Sequence, residues 1–363
     1  MHNHRRSRYF ATDKDIFDLL QASKQKTSKQ VLIELLRERG VFVSNEEDRD
    51  SLAEYTSLLP HSYSQLDTLL NIAEPGHRAE KTTCSSIETT ATKEVLLQAI
   101  TDVQEERGSR EVYSKHAHSD EVVLNLEYSE LDLGKTRLKQ FKDKEAEIQF
   151  QFGANGELEI RRPASPRAEE VLNAILEKVA DITKENLLQK KIELSGITTP
   201  EGRTKFFTGL INNIEGFDLD DVTSVKVDRE IKALNPESEL DDEEAPASPE
   251  IQSMVRKVLL DGEGLLYSPE YQELNKGGFY ISKVIWTSNS EKKDGDKIEL
   301  EASLGNPSEG TDYKYSIRGV FPQKADGSFN KNKKSPTEAE KQAYLKLLEK
   351  ASWASLDTIA SQD

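Results

Sequence analysis

The spacing of apolar residues changes from a helical period near the amino terminus to a period of two beyond residue 120. Over residues 1–75, apolar residues recur three or four positions apart in four groups, and this spacing predicts four short helices. Further on, apolar and polar residues alternate in two segments, at Val122, Leu124 and Leu126 and again at Ile148, Phe150 and Phe152. Because alternation places every second side chain on one face of a strand, these segments predict a sheet.

The order of the predicted elements divides the chain into five parts. Residues 1–75 form a helical module, and residues 236–250, with seven acids, three prolines and no Lys or Arg, form an acidic linker. The other parts are a connector with one helix over residues 76–120, an α+β domain over residues 121–235 and a second α+β domain over residues 251–363. We therefore predict the α+β class, with a small N-terminal helical module followed by two α+β domains whose sheets are mainly antiparallel.

Composition and periodicity also predict the elements between and within these parts. The Thr- and Ser-rich residues 76–92 predict a solvated connector, and residues 107–120 predict a loop. A helix over residues 251–260 opens the second α+β domain, and another over residues 336–359 ends it. Between these two helices we predict strands over residues 279–286, 297–302 and 313–321.

The net charge of the chain is −17, and it is unevenly distributed. Residues 1–60 hold ten Lys/Arg and ten Asp/Glu, so the acidic excess lies in the remainder. Since an acidic surface repels phosphate, nucleic acid is expected to contact only the amino-terminal end.

The number of cysteines and the length of the apolar runs indicate the compartment in which the protein is found and whether it crosses a membrane. The single cysteine, Cys84, excludes an intrachain disulfide and any four-cysteine metal site. No apolar run reaches the roughly 18 to 20 residues that span a bilayer, and the basic first residues are not followed by the apolar stretch of a secretory signal. We therefore expect a cytoplasmic protein without membrane association.

Residues 29–58 join two helical patterns through a short extended turn, with IELLRERGVFVS at positions 33–44. This stretch, at about residues 28–58, resembles the SAP motif, a helix–extension–helix module whose members often bind DNA. The resemblance implies that Gly40 ends the first helix in a left-handed conformation and that Ser44 or Asn45 caps the second.

Basic residues of this stretch are candidate nucleic-acid contacts, namely Lys26, Lys29, Arg37 and Arg39. The family usually has a Gly and a Lys at the start of the second helix, where this chain has Asn45 followed by three acids. Those acids suit the positive end of the helix dipole, but they repel phosphate. The module is therefore interpreted either as a DNA contact or as a helical docking module for a protein partner.

One histidine-containing segment has the residue types of a metal site. Residues 115–121, KHAHSDE, resemble the HxHxDH metal loop of metallo-β-lactamase-type hydrolases, with Glu121 where the last His belongs. A site made of His116, His118 and Asp120 is one interpretation. An exposed polar loop is the other.

A second candidate metal site lies on a predicted strand. Asp296, Glu299 and Glu301 supply the acids of a Mg²⁺-dependent nuclease, but the lysine that such a site requires is missing. The alternative is that these acids form the solvated face of a strand, as period-two alternation favours.

Other catalytic and cofactor patterns are incomplete. Gly134-Lys135-Thr136 lacks the earlier glycine of a phosphate loop, and Cys84 has no nucleophile-elbow context. We therefore predict no catalytic residue, no cofactor and no metal site.

The expected function is that of a non-enzymatic binding or adaptor subunit that docks onto protein partners, with DNA contact through the amino-terminal module as an added role. Two alternatives stay open. One is a DNA-binding component of a microbial nucleic-acid-processing or anti-phage defence complex, and the other is a divergent metal-dependent nuclease. The sequence leaves the oligomeric state undetermined.

Overall fold

The structure is a computed structural model that describes residues 11–73, 80–107, 111–153, 156–229, 257–293 and 295–361. Over these ranges the chain forms nine α-helices and eleven strands. The strands within each compact unit pair in an antiparallel manner. The predicted α+β class with antiparallel sheets is therefore confirmed.

The chain folds into two compact units whose segments alternate along the sequence. Unit 1 contains residues 1–79, 90–151 and 167–186, whereas unit 2 contains residues 80–89, 152–166 and 187–363. Each unit therefore combines segments that are distant in the sequence.

Unit 1 begins with four helices, which we call the helical module: α1 (Asp13–Ala22), α2 (Lys29–Glu38), α3 (Arg49–Leu58) and α4 (Tyr63–Ala73). The side chains of Thr12, Ser28 and Asp48 cap the first three by accepting hydrogen bonds from backbone N–H groups. One apolar side of every helix faces a common core, in which Leu20 and Leu36 are completely buried. Short helices of this kind are stabilised by such packing more than by helix propensity.

The rest of unit 1 consists of two helices and three strands: α5 (Lys93–Arg107), β2 (Val112–Ala117), β3 (Glu121–Leu131), β4 (Phe141–Phe152) and α6 (Pro166–Thr183). Strand β3 pairs with both β2 and β4, and Val122 lies opposite Phe150. Burial alternates along β3 as the sequence pattern predicts.

Unit 2 contains a seven-stranded sheet in the order β5–β1–β11–β10–β9–β7–β8. Its strands are β1 (Thr82–Glu88), β5 (Glu157–Pro163), β7 (Phe217–Arg229), β8 (Lys257–Asp261), β9 (Phe279–Ser290), β10 (Lys297–Asn306) and β11 (Thr311–Phe321), and the short β6 (Lys190–Lys191) also pairs with β1. Three helices complete the unit: α7 (Pro200–Asn212), α8 (Pro269–Lys276) and α9 (Glu338–Ala360). Residues from α7, α9 and one face of the sheet form the core around Trp286, Phe206 and Leu348.

Three local predictions are wrong. The predicted connector over residues 76–92 contains strand β1, which pairs with β5 over its whole length. Strand β2 lies in the predicted loop over residues 107–120. Residues 257–260, predicted to be helical, form most of β8 and pair with β7. In each case pairing with a neighbouring strand outweighs the local propensity.

The predicted acidic linker over residues 236–250 lies outside the described residues, as do residues 251–256 of the predicted helix. Among the helices that the structure does describe, none combines the length and the apolar character needed to cross a membrane.

Candidate functional site

Helix α2 ends as its sequence predicts. Gly40 has a φ of +74°, in the left-handed region. The N–H of Gly40 donates to the Arg37 carbonyl and the N–H of Val41 donates to the Leu36 carbonyl, each at 2.9 Å. This pair of bonds satisfies carbonyls at the end of α2 and directs the chain away from the helix axis.

Helix α3 begins later than the SAP resemblance implies. Its cap is Asp48, whose carboxylate accepts from the N–H groups of Asp50 and Ser51 at 2.8 and 2.9 Å, so the prediction of Ser44 or Asn45 as the cap is wrong. The Ser44 hydroxyl instead accepts from the N–H of Glu46 within the extended segment. Asp48 caps better because its carboxylate also interacts favourably with the helix dipole.

Arg49 joins α1 to α3, a role that the sequence patterns do not indicate. Its guanidinium donates to the carbonyls of Leu20 and Thr27, at 2.5 and 3.1 Å, and to the Gln21 side chain at 3.2 Å. Thr27 is completely buried. The Leu20 carbonyl also accepts from the Ser23 N–H and the Thr27 hydroxyl, so Arg49 adds a further hydrogen bond there and supplies one to the Thr27 carbonyl.

Two of the four candidate nucleic-acid contacts, Lys29 and Arg39, lie at opposite ends of α2. Lys29, at the start of α2, donates to the Asn45 carbonyl at 2.5 Å, and Arg39, just after α2, donates to the Pro60 carbonyl. A rise of 1.5 Å per residue separates these two positions by roughly 15 Å. Lys26 and Arg37 are exposed, and their side chains make no hydrogen bond or ion pair with any residue that the structure describes.

A cavity of about 170 Å³ opens between α2, α3 and α4. Its walls mix three leucines with polar side chains: Leu35, Leu36, Glu38, Arg39, Thr56, His61, Gln65, Thr68 and Leu69. Of the four candidate contacts, only Arg39 lines this cavity. We refer to it as the module cavity.

Two nitrogen atoms beside the module cavity are buried and lack a hydrogen-bond partner among the described residues: Arg39 Nη1 and His61 Nδ1. The other ring nitrogen of His61, Nε2, lies 2.8 Å from the Thr56 carbonyl oxygen. Since a carbonyl only accepts, Nε2 carries the proton and neutral His61 presents a bare acceptor at Nδ1. Burial, followed by the positive charge of Arg39, lowers the pKa of His61 and favours this neutral form.

Four large apolar side chains are exposed at positions within three residues, along the sequence, of a residue that lines the module cavity. Their exposed fractions are 83% for Phe42, 61% for Leu58, 44% for Tyr55 and 40% for Tyr63. The bond from Arg39 to Pro60 holds the segment after α2 against the segment before α4, so Phe42 and Leu58 flank one junction. We call these four residues the apolar rim.

In unit 2, the candidate nuclease acids are bound to cations. The Glu301 side chain is 2% exposed and lies 2.8 Å from Lys81 Nζ, 3.1 Å from Lys283 Nζ and 2.5 Å from Arg318 Nη1. Glu299 is ion-paired with Arg318 at 3.0 Å and with Lys333. Burial alone would raise the pKa of Glu301, but the hydrogen bonds and positive charges outweigh it and lower that pKa to about 2.

Asp296, the third candidate acid, is also engaged. Its Oδ1 accepts from the N–H of Gln323 at 3.0 Å, and its Oδ2 lies 3.6 Å from Lys334 Nζ. Ammonium and guanidinium groups therefore occupy the positions around these carboxylates where a cation would bind.

The remaining candidate residues are those of the histidine-containing segment and Cys84. His116, His118 and Asp120 are exposed at and after the end of β2. Within the described ranges, no group of three or more His, Cys, Asp or Glu side chains is placed to hold a metal ion. Cys84 lies on β1 against the core of unit 2, where burial and the nearby Glu349 charge raise the pKa of its thiol, so it is a poor nucleophile.

Comparisons with known proteins give no further constraint. No family model matches this chain, and no curated protein sequence matches it significantly.

Proposed function

We propose that this chain is a non-enzymatic binding protein, an adaptor, whose helical module docks onto a protein partner. The observation that carries the proposal is the apolar rim, four exposed large apolar side chains close in sequence to the residues that line the module cavity. Exposed large apolar side chains are typical of interaction surfaces, because a partner removes their apolar area from water.

The charges around the apolar rim define the chemistry of the partner. Glu38, Glu46, Glu47 and Glu54 are all exposed in the same segments, from the end of α2 to the middle of α3. An acidic border attracts cations and repels phosphate. The occupant we propose is therefore a protein segment that carries apolar side chains flanked by Lys or Arg.

The ion pairs in unit 2 support a binding role over a nuclease role. A Mg²⁺-dependent nuclease needs carboxylate oxygens that are free to coordinate the metal. Glu301 and Glu299 instead share four cationic side chains. A single cysteine, Cys84, accords with a reducing compartment, and we keep the cytoplasm as the proposed location.

Site-specific photocrosslinking in the native host tests the proposal. Benzoylphenylalanine replaces Phe42 in one variant and the exposed Glu177 of α6 in a matched control. We expect one discrete protein adduct from position 42 that is missing from position 177. Identical adducts at both positions, or none at position 42, would overturn the proposal.

A direct binding measurement follows with the crosslinked protein after purification. Leu58→Lys adds a positive charge at an exposed position of the apolar rim without disturbing the core. We expect this change to weaken binding by at least about tenfold, since a central apolar contact at an interface contributes more than 1 kcal/mol. An unchanged dissociation constant would show that the adduct arises from chance proximity.

DNA contact through the module is a second candidate function. The observation in its favour is that Lys26 and Arg37 are exposed, and that their side chains make no hydrogen bond or ion pair with the residues that the structure describes. Its natural setting would be a nucleic-acid-processing or anti-phage complex, in which this chain would be one subunit.

A further inference from the structure

Strand β8 lies at one edge of the unit 2 sheet, and among the described residues it pairs with β7 alone. This pairing runs from Lys257 to Asp261 in continuous register, without a bulge. Leu259, at the centre of the strand, is 58% exposed. Proteins usually protect an edge strand with a central charge, a proline or a bulge, because its outward N–H and C=O groups can pair with another chain. The centre of β8 has none of these three features, so this edge is suited to pairing with a further strand.

Alternate residues of β8 direct their backbone groups away from β7. Gly262 follows the strand, and its N–H donates at 3.1 Å to the carbonyl of Thr223, the residue that the register places opposite it. Hydrogen-bonded and non-hydrogen-bonded pairs alternate along an antiparallel ladder, so the even-numbered residues of β8 bond to β7 and the odd-numbered residues do not. The residues whose N–H and C=O groups face the open edge are therefore Lys257, Leu259 and Asp261.

The β7 backbone supports this assignment. Lys226 lies opposite Leu259, and its carbonyl accepts from the Ser282 hydroxyl of β9 at 3.2 Å. This carbonyl therefore points away from β8, as expected for a pair without hydrogen bonds between β7 and β8. Among the residues that the structure describes, none bonds to the backbone of Leu259 at the open edge.

The side chains of β8 form a pattern that is complementary to itself. Lys257 begins the strand, Asp261 ends it, and three apolar residues lie between them. Both charged residues are exposed, and 64% of the Lys257 side chain stays exposed although its Nζ lies 3.9 Å from Asp228 Oδ1. If two copies of β8 lie antiparallel about a two-fold axis at Leu259, each lysine faces the aspartate of the other copy.

From this pattern we infer that the chain forms a two-fold symmetric homodimer in which β8 of one copy pairs with β8 of a second copy. Leu259 pairs with its counterpart at the axis, and Lys257 pairs with Asp261 of the second copy on each side. Each of these residue pairs exchanges two backbone hydrogen bonds through the outward N–H and C=O groups. A register shifted by two residues keeps some of these bonds but places Lys257 opposite Leu259, so it loses the ion pairs.

The short length of β8 makes the expected dimer weak. Its five residues, at about 3.4 Å per residue, give a paired length of roughly 17 Å. Such a contact buries less than the roughly 1,200 Å² at which stable complexes begin. We therefore expect a dissociation constant on the order of 10 μM. The dimer concerns unit 2 and is independent of the docking proposed for the helical module.

Sedimentation equilibrium of the full chain tests the inference. Over a range of about 1 to 200 μM, we expect a reversible conversion of monomer to dimer with the dissociation constant given above. A chain that stays monomeric throughout this range would overturn the inference.

Two charge variants test the register. Lys257→Asp places aspartates opposite each other at both ends of the paired strands, and Asp261→Lys does the same with lysines. Each variant alone should weaken the dimer at least about tenfold at low salt, since like charges directly opposite are destabilising. An equimolar mixture of the two should recover dimers near the wild-type affinity, because every aspartate then faces a lysine. Glu177→Lys, at an exposed position of α6, is the control and should leave the dimer unchanged.

A third variant tests the backbone pairing at the axis. Leu259→Pro removes an N–H that faces the open edge and makes no bond to β7, so the β7 ladder is retained and the dimer is lost. Circular dichroism establishes that the variant is folded, and recovery in the mixture shows the same for the charge variants. A dimer that none of the three substitutions weakens uses another surface and overturns the inference, as does a mixture that stays monomeric.

Discussion

Replacing Glu301 by glutamine should destabilise unit 2 by about 3 kcal/mol at neutral pH. The carboxylate is 2% exposed and lies within 3.1 Å of three cationic groups. Its pKa falls from 4.5 to about 2 in the folded protein, and each pKa unit corresponds to about 1.4 kcal/mol. The same magnitude follows from the roughly 3 to 5 kcal/mol measured when one partner of a buried ion pair is removed.

The pH dependence of this effect has a defined sign. Because the folded-state pKa lies below the unfolded value, the stabilisation from Glu301 is complete above about pH 4.5 and is lost as the pH falls toward 2. The wild type and Glu301→Gln should therefore differ most at neutral pH, and the difference should shrink in acid.

Guanidinium chloride unfolding, followed by tryptophan fluorescence, measures the difference. Both tryptophans, Trp286 and Trp353, belong to unit 2, so the signal reports on the unit that contains Glu301. Glu273→Gln, at an exposed position on α8, is the matched control and should change the free energy of unfolding by less than about 0.5 kcal/mol. A Glu301→Gln protein as stable as the wild type at neutral pH, or a deficit that stays constant in acid, would refute the reasoning.

Two further predictions concern the helical module. Arg49→Ala should raise the hydrogen-exchange rates of α1 and α3, with a loss of roughly 1 to 3 kcal/mol of local stability, because it removes one hydrogen bond to the Leu20 carbonyl and leaves the Thr27 carbonyl unpaired among the described residues. Rates equal to wild type would contradict this role. If the module contacts DNA, Lys26→Glu combined with Arg37→Glu should weaken the binding of a labelled duplex, as measured by fluorescence anisotropy. The slope of the logarithm of the binding constant against the logarithm of the salt concentration should fall in magnitude by roughly 2. An absence of wild-type binding at low salt would exclude that function.

The sequence predicts those elements whose burial pattern depends on local periodicity. The helices of the module and the alternating strand β3 have one apolar face each, and that face is visible in the spacing of their residues. Gly40 is predictable for a related reason, since the left-handed backbone at the end of α2 favours glycine.

Strands β1 and β8 could not be predicted from local periodicity, because pairing with neighbouring strands determines their secondary structure. Strand β1 contains two threonines and two serines, a composition that favours loops, yet β5 pairs with all seven of its residues. Strand β8 is apolar at a spacing compatible with a helix, and its pairing with β7 decides the outcome. Such pairings depend on residues far away in the sequence, which no local pattern contains.

The module cavity was not predictable either. Its charge marks Arg39 as a phosphate contact, whereas the structure places Arg39 in the wall of the same cavity as His61. His61 stands alone between Pro60 and a helix, and no spacing marks it. Only the packing of α2, α3 and α4 brings the two residues to one cavity.

The pairing of β1 with β11 has a consequence for synthesis of the chain. Thr82 lies opposite Tyr315, so β1 leaves the ribosome on the order of 230 residues before its partner, or roughly 10 to 50 s earlier at 5 to 20 residues per second. During that interval β5 can cover one edge of β1 and β6 can pair with Ser85 and Ser86 on the other edge, while the end of that second edge at Thr82 stays open to pairing with foreign chains. Thr83, Ser85 and Ser86 lower that hazard, since a nascent strand rich in hydroxyl groups is less prone to aggregate than one of valine and isoleucine.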